Sequence, residues 1–139
     1  MKLAVVGSRS FGNRNPVAFK TQEELREANE SDYQCLCAVL DICTMDEIVS
    51  GGASGADRLA ERYALERGLK IIVFPAKWDK YPGKTAAYQR NQLMVDVSDG
   101  VVAFWDGESK GTRMTMLLCR EAGKPVMVVR TDMIGGVYG

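Results

Sequence analysis

Five short segments rich in apolar residues are the feature that most constrains the fold. They occupy residues 2–6, 47–50, 70–74, 101–105 and 125–129. The stretches between them carry apolar residues at a spacing of three or four, which is typical of amphipathic helices. A strand that is apolar on both faces is buried on both, as in a parallel sheet covered by helices. The segments therefore predict an α/β fold in which strands and crossover helices alternate.

Right-handed crossovers restrict how such strands can be ordered. They favour a Rossmann-like, doubly wound parallel sheet of about five strands in the order 3-2-1-4-5, with helices on both faces. The chain of 139 residues fits a single domain, 1–139. A polar excursion at about 12–30 interrupts the pattern, and Thr21 there opens at most a short helix. Ser31 is predicted to cap the first crossover helix, which then runs to about Cys43.

Two later helices are predicted from the spacing of their apolar residues. The inward face of the earlier helix is predicted to hold Ala86, Arg90, Leu93, Met94 and Val97. That of the later helix is predicted to hold Met114, Leu117 and Leu118. An arginine within an apolar stripe is costly unless it meets a carboxylate or a bound anion. Two roles therefore remain possible for Arg90: a structural salt bridge and contact with a ligand.

The charge balance argues against two classes of partner. Lys and Arg total 18, and so do Asp and Glu, so the chain has no net positive field to attract nucleic acid or a membrane surface. No segment approaches the roughly 20 apolar residues of a membrane helix. We therefore expect a cytoplasmic protein that does not bind nucleic acid or membrane, and in which any anion is bound locally.

The absence of histidine limits the chemistry of the chain. Histidine is the commonest metal ligand and general base, and the sequence contains none. The cysteines at 35, 37, 43 and 119 lack the spacing of a zinc site and are expected to be reduced packing residues. We expect no metal and no required cofactor. Any acid–base chemistry must use carboxylates, lysine, tyrosine or thiols.

Three glycine-bearing loops follow the first, second and fourth strands, at residues 7–9, 51–57 and 106–112. In the predicted sheet these loops meet at the carboxyl edge, where the strand order reverses and ligands bind. Glycine lets backbone N–H groups approach a phosphate, and the positive end of the following helix favours an anion. No loop matches the dinucleotide or P-loop fingerprint. The three loops together predict a phosphate-binding rim.

The predicted site combines these loops with nearby polar and aromatic side chains. The candidate ligand-binding residues are Gly7, Ser8, Arg9, Gly51, Gly52, Ala53, Ser54, Gly55, Asp57, Trp78, Arg90, Asn91, Asp106, Ser109, Lys110, Gly111 and Thr112. The candidate general bases are Asp57, Glu61 and Asp106. Ser54 and Asp57 also have the spacing of a helix cap, which leaves a purely structural role open. The aromatic residues Trp78, Tyr81 and Trp105 are candidates to stack on a base, and for Trp78 and Tyr81 a role as loop anchors is equally open.

Several ordered motifs resemble the YspA/YpsA-like branch of the SLOG superfamily. They are V-G-S-R at 6–9, S-G-G-A-S-G-A-D-R-L-A at 50–60, F-P-A-K-W at 74–78, R-N at 90–91 followed by Met94, and V-A-F-W-D-G-E-S-K-G-T at 102–112. The resemblance implies a Rossmann-like fold and a nucleotide-type ligand. It extends to sensors in phage and bacterial conflict systems, to Lonely Guy phosphoribohydrolases and to the DNA-uptake processing protein. The excursion at 12–30 departs from the shorter family pattern.

The resemblance ranks three functions. The first is binding or sensing of a nucleotide derivative, such as an ADP-ribose-like molecule, with Arg9, Arg90 and Lys110 neutralising its charge. The second is hydrolysis of an N-glycosidic or phosphate bond, but Thr112 is not followed by the glutamate of the phosphoribohydrolase motif. DNA binding comes third, because the chain lacks net positive charge. We also expect a homo-oligomer, specifically a dimer.

Overall fold

The predicted sheet is confirmed by a computed structural model that describes residues 1–77, 79–80 and 82–132. The strands are β1 (Lys2–Gly7), β2 (Glu47–Ser50), β3 (Lys70–Val73), β4 (Gly100–Trp105) and β5 (Val126–Arg130). Their order is β3-β2-β1-β4-β5, and every neighbouring pair is parallel. The helices are α1 (Gln22–Asp41), α2 (Ala56–Arg67), α3 (Lys84–Val97) and α4 (Lys110–Glu121), and a 3-10 turn covers Pro16–Ala18. The Rossmann-like α/β fold is therefore as predicted.

The core lies on both faces of the sheet, as the apolar character of β1 requires. Leu3 and Val5 pack with buried residues of α1 and α2, whereas Ala4 and Val6 pack with those of α3 and α4. Successive side chains of a strand point to opposite faces, so β1 contributes to both layers. This burial fixes the register of the central strands and, with it, the height at which their loops leave the sheet.

The first crossover helix, α1, is longer than predicted. The sequence predicts a short helix after Thr21 and a second helix from Ser31, but α1 is one continuous helix with Thr21 as its N-cap. No glycine or proline interrupts residues 22–41, so nothing ends the helix between the two capping patterns. Ser31 therefore lies inside α1 and does not cap it, and the carboxylate of the next residue, Asp32, accepts bonds from Arg14 and from the Gly12 amide and so holds the preceding loop on α1.

The inward faces of α3 and α4 also differ from the prediction. In α3 the buried residues are Ala86, Asn91, Met94 and Val95, and in α4 they are Thr112, Thr115, Met116 and Cys119. Leu93 and Leu117 are 46% and 44% exposed. Asn91 can lie inward because Arg90 Nε donates to its Oδ1 over 2.8 Å, which satisfies a buried amide oxygen. The spacing of apolar residues alone cannot predict a buried helix face that includes hydrogen-bonded polar residues such as Asn91.

None of the helices in the described part of the chain combines the length and the apolar character needed to cross a bilayer.

Candidate functional site

The loops after β1, β2 and β4 meet at the carboxyl edge of the sheet around two adjoining cavities. The first has a volume of about 510 Å³ and the second about 390 Å³. Arg9, Ala53 and Arg90 line both cavities. We call the two cavities together the edge groove. The predicted meeting of the three loops at one rim is therefore what the structure shows.

Most of the predicted ligand-binding residues line the edge groove. The first cavity is lined by the predicted residues Gly7, Ser8, Arg9, Ala53, Asp57, Arg90, Asn91, Asp106, Ser109, Gly111 and Thr112. The second adds Gly51, Gly52 and Ser54. Gly55 lines neither cavity, and Lys110 lies instead in a hollow lined by residues of α3 and α4. Trp78 and Tyr81 lie outside the described residues.

Ser8 ties the three loops to one another. Its backbone N–H donates to Phe104 O over 3.0 Å, and its carbonyl accepts from the Ala56 amide at the start of α2. Its hydroxyl accepts from the Asp106 amide over 3.1 Å. The side chain is almost fully buried. One residue therefore fixes the loops after β2 and β4 relative to β1, which makes the rim preorganised.

Gly55 allows the first and second loops to touch. Its φ is +83°, and a Cβ built there would lie 2.4 Å from Ser8 O and 2.5 Å from Arg9 O. Real Cβ atoms do not approach backbone oxygens so closely, and a positive φ is itself unfavourable for residues with a side chain. Glycine at this position is therefore required by the contact between the loops.

Unused backbone donors lie along this contact. The amides of Arg9, Ser10, Ser54 and Gly55 have no hydrogen-bond partner among the described residues. Gly55 is also the N-cap of α2, and no side chain caps that helix. The free first-turn N–H groups of a helix carry partial positive charge and attract anions. The second loop is thus electrostatically suited to bind a phosphate.

The loop after β4 uses its donors internally. Asp106 Oδ1 accepts from the amides of Glu108 and Ser109 over 2.9 and 2.8 Å, and Ser109 caps α4. Partial burial favours the neutral form of Asp106, but the bonds from Ser109 and Glu108 outweigh it and hold its pKa below the usual value. An ionised carboxylate in the first cavity makes the second cavity the better position for an anion.

Arg90 is the best-positioned cation of the groove. Its Nη1 donates to Gly51 O over 2.8 Å, and its Nε donates to Asn91. Burial lowers its pKa, although the guanidinium remains charged. The structural salt bridge that the sequence left open is not formed with any carboxylate in the described part of the chain. Arg90 therefore carries a positive charge that no protein group neutralises by direct contact.

Arg9 adds a second unneutralised cation. The side chain is exposed and makes no hydrogen bond or ion pair within residues 1–77, 79–80 and 82–132. The second cavity contains both arginines and no acidic residue in its wall. Its charge is therefore locally positive even though the whole chain is neutral.

Two of the three candidate general bases line the first cavity. Asp57 is buried, which raises its pKa to about 6, and its Oδ2 accepts from the Ala53 amide over 3.1 Å. Asp57 thus supports the second loop instead of capping α2. Glu61 accepts from the Ser50 hydroxyl and faces Arg58, and it does not line either cavity. Of these candidates, Glu61 therefore does not face the edge groove.

The described aromatic candidate at this edge serves as an anchor. Trp105 Nε1 donates to Ser109 O over 3.0 Å, and the Arg130 guanidinium lies 5.3 Å from the centre of its ring. Both contacts hold the loop after β4. In the described part of the chain, no group of three or more acidic or cysteine side chains is arranged to hold a metal ion.

Sequence reasoning missed other residues of the first cavity, which include Ser10, Ala87, Met94 and Thr115. Thr115 lies three residues after Thr112 on α4. Residues at this spacing lie on the same face of a helix, so the spacing could have identified Thr115 as a cavity residue. Ala87 and Met94 carry no chemical signal, because small and apolar wall residues look like core in a sequence.

Comparison with known proteins establishes the family. The chain is a Rossmann-like domain with a glycine-lined edge, and the family model described as YspA, cpYpsA-related SLOG family matches residues 1–81. Gene 61 protein of Mycobacterium phage D29 is 32% identical over 132 residues, which cover 91% of this chain and 94% of that protein. The chain belongs to the YspA, cpYpsA-related SLOG family.

A solved structure shares the fold. DNA processing protein A from Helicobacter pylori, described for its single-stranded DNA binding mode, aligns with a TM-score of 0.56 and 22% sequence identity. The alignment covers 92% of this chain, and the chain spans 64% of that protein chain. At this level of identity the likeness shows the common fold.

This neighbour corrects two predictions. The prediction that the chain binds and senses a free nucleotide derivative is wrong, and so is the exclusion of nucleic acid as a partner, because a protein of this fold binds single-stranded DNA. The inference from zero net charge failed for a physical reason. A bound strand responds to charges within about a Debye length, ~8–10 Å, and not to the sum over the whole chain.

Proposed function

We propose that the chain binds single-stranded DNA, with backbone phosphates of the strand lying in the edge groove. The observation that carries this proposal is the position of Arg9 and Arg90, which line both cavities and pair with no carboxylate in the described residues. A DNA strand presents a row of phosphates, and grooves that bind it follow that row with cations. Two cations along one continuous groove suit such a ligand.

Backbone donors add to the two arginines. The free amides of Ser54 and Gly55 lie at the uncapped start of α2, and those of Arg9 and Ser10 belong to residues on the wall of the first cavity. Hydrogen bonds from backbone N–H groups to phosphate oxygens carry no base information. They support binding of the backbone of a strand without sequence preference.

The shape of the site favours a single strand over a duplex. Proteins read duplex DNA mainly by inserting a helix or a ribbon into one of its grooves. The edge groove is instead concave, and its two cavities of about 510 and 390 Å³ are each of a size suited to one small ligand or nucleotide unit. A flexible strand can enter such hollows, whereas a stiff duplex passes over them.

The neutral total charge is compatible with this function because many other cations are paired. On α1 and α2, Arg62 bonds Glu30 and Glu66, and Arg67 bonds Asp41. Exposed pairs of this kind contribute little to stability, about 0–1 kcal/mol each, but they cancel the local field. The free positive charge at the carboxyl edge is thereby retained for a ligand.

The salt dependence of DNA binding tests the proposal. We expect fluorescence anisotropy to show saturable binding of a labelled oligothymidylate of about 12 nucleotides, within the ~4–16 nucleotides typical of single-strand sites. Arg9→Gln should weaken binding by about five-fold and reduce the slope of log affinity against log salt by about 0.7, the value for one phosphate contact on a single strand.

Arg120→Gln is the matched control. Arg120 is exposed in the last turn of α4, at the opposite edge of the sheet, so this change removes the same charge without touching the groove. Its affinity and salt slope should equal those of the unmodified chain. The proposal fails if the unmodified chain shows no saturable binding, or if both variants lose affinity and slope equally.

A further inference from the structure

A third cavity adjoins the edge groove on the side of β3. Its volume is about 320 Å³, and Pro75 and Arg90 line both this cavity and the second cavity of the groove. The remaining wall is formed by Phe74, Lys77, Ala86, Gln89 and Leu93. A molecule in the edge groove beside Arg90 can therefore extend into this hollow without crossing the protein surface.

The wall of this third cavity is mainly apolar and contains no acidic residue. Leu93 on this wall is 46% exposed, so part of its apolar surface is available to a molecule in the cavity. Pockets that bind small organic groups are lined mainly by apolar side chains with a few polar groups, as this wall is. The Lys77 side chain on the same wall makes no hydrogen bond or ion pair within the part of the chain that the structure describes. The cavity thus combines apolar surface with two unpaired cations, Lys77 and Arg90.

We propose that this third cavity is a base pocket, which holds one heterocyclic base of the bound strand while the phosphate of the same nucleotide lies beside Arg90. The inference rests on the proposed function. A base has two apolar faces and a polar edge, so Phe74, Pro75 and Leu93 can cover the faces while Gln89 and Lys77 meet the edge. Only the sugar separates a base from its phosphate, as the shared wall of the two cavities requires.

The size of the cavity supports a single base. A volume of about 320 Å³ is near the lower limit of about 300–1,000 Å³ for pockets that hold small organic ligands. Contacts between a base and apolar side chains are tolerant of sequence, because every base has apolar faces. The base pocket therefore adds affinity for a strand that carries bases, without selecting a particular sequence.

Two oligonucleotides of equal charge distinguish binding in the base pocket from binding of phosphates in the edge groove. One is an oligothymidylate of about 12 nucleotides, and the other carries the same phosphates on abasic deoxyribose units. We expect the unmodified chain to bind the thymidylate at least about five-fold more tightly, since one stacked base contributes that much or more. Leu93→Asn should lower affinity for the thymidylate by about five-fold, through loss of apolar contact, and leave the abasic strand unaffected.

Leu117→Asn on α4 is the matched control, because Leu117 is 44% exposed and lies outside all three cavities. It should change neither affinity, and thermal unfolding checks that both variants fold. Equal binding of the two strands by the unmodified chain, or equal weakening of both by Leu93→Asn, overturns the base pocket and leaves the phosphate groove standing. Absence of binding to either strand overturns both proposals.

Discussion

Arg90→Met should weaken binding of single-stranded DNA by about 30-fold, since a hydrogen bond to a charged group contributes about 1.5–3 kcal/mol. Arg90 lies at the junction of the edge groove and the base pocket, and it lines all three cavities. Its guanidinium is partly desolvated and has no ion-pair partner among the described residues, so a phosphate beside it gains more than one beside an exposed lysine. Anisotropy titrations at fixed salt measure the effect.

The substitution Arg90→Lys distinguishes the effect of the positive charge at this position from the effect of the guanidinium's hydrogen-bonding geometry. Lysine keeps the positive charge but loses the planar fork that bonds Gly51 and Asn91, so we expect an affinity between those of the unmodified chain and Arg90→Met. Burial raises the pKa of Asp57 to about 6, and the positive charge of Arg90 lowers it. Arg90→Met, which removes that charge, should therefore move the pKa of Asp57 above about 6, whereas Arg90→Lys should not. Affinities within two-fold of the unmodified chain for Arg90→Met, in a correctly folded variant, would contradict the proposed role.

Gly55→Ala should lower the free energy of unfolding by about 3 kcal/mol or more, as a side chain at positive φ and a backbone clash each cost about 1–3 kcal/mol. The added Cβ would lie 2.4 Å from Ser8 O and 2.5 Å from Arg9 O. Both contacts are with backbone, which cannot rotate away as a side chain can. The first and second loops must therefore separate, and the groove between them opens.

Gly68→Ala provides the control for this effect. Gly68 ends α2 with φ +65°, but a Cβ there would meet nothing within 4 Å. We expect it to cost only the conformational term, about 1 kcal/mol. Urea unfolding of both variants compares the two losses directly. Losses of equal size would mean that Gly55 is required for its φ alone and that the two loops are not held in close contact.

The sheet was predictable because its strands are apolar on both faces. That pattern, with right-handed crossovers, leaves few possible strand orders, and β1 between β2 and β4 follows from it. The convergence of the glycine loops was predictable for the same reason, since the carboxyl ends of parallel strands share one edge. Helix boundaries were less predictable: Ser31 and Gln34 have the spacing of a capping box, yet both lie inside α1, which contains no glycine or proline that would end it earlier.

The candidate site was predictable as a set of loops but not as a set of contacts. Arg90 stood out because an arginine in an apolar stripe needs a partner, yet its bonds to Gly51 and Asn91 depend on tertiary packing. Glu61 failed as a cleft residue because Ser50 and Arg58 engage its carboxylate. Composition gives the sum of the charges, whereas binding depends on which charges remain unpaired at one edge.

The most direct measurement follows the backbone amides of the isotope-labelled chain by NMR as oligothymidylate is added. We expect saturable shifts that are largest at the free amides of Arg9, Ser10, Ser54 and Gly55, with Arg120 at the opposite edge unchanged. Shifts that are absent, or that are confined to the amino edge of the sheet, would contradict the claim that the unpaired cations and amides of the edge groove bind the DNA strand.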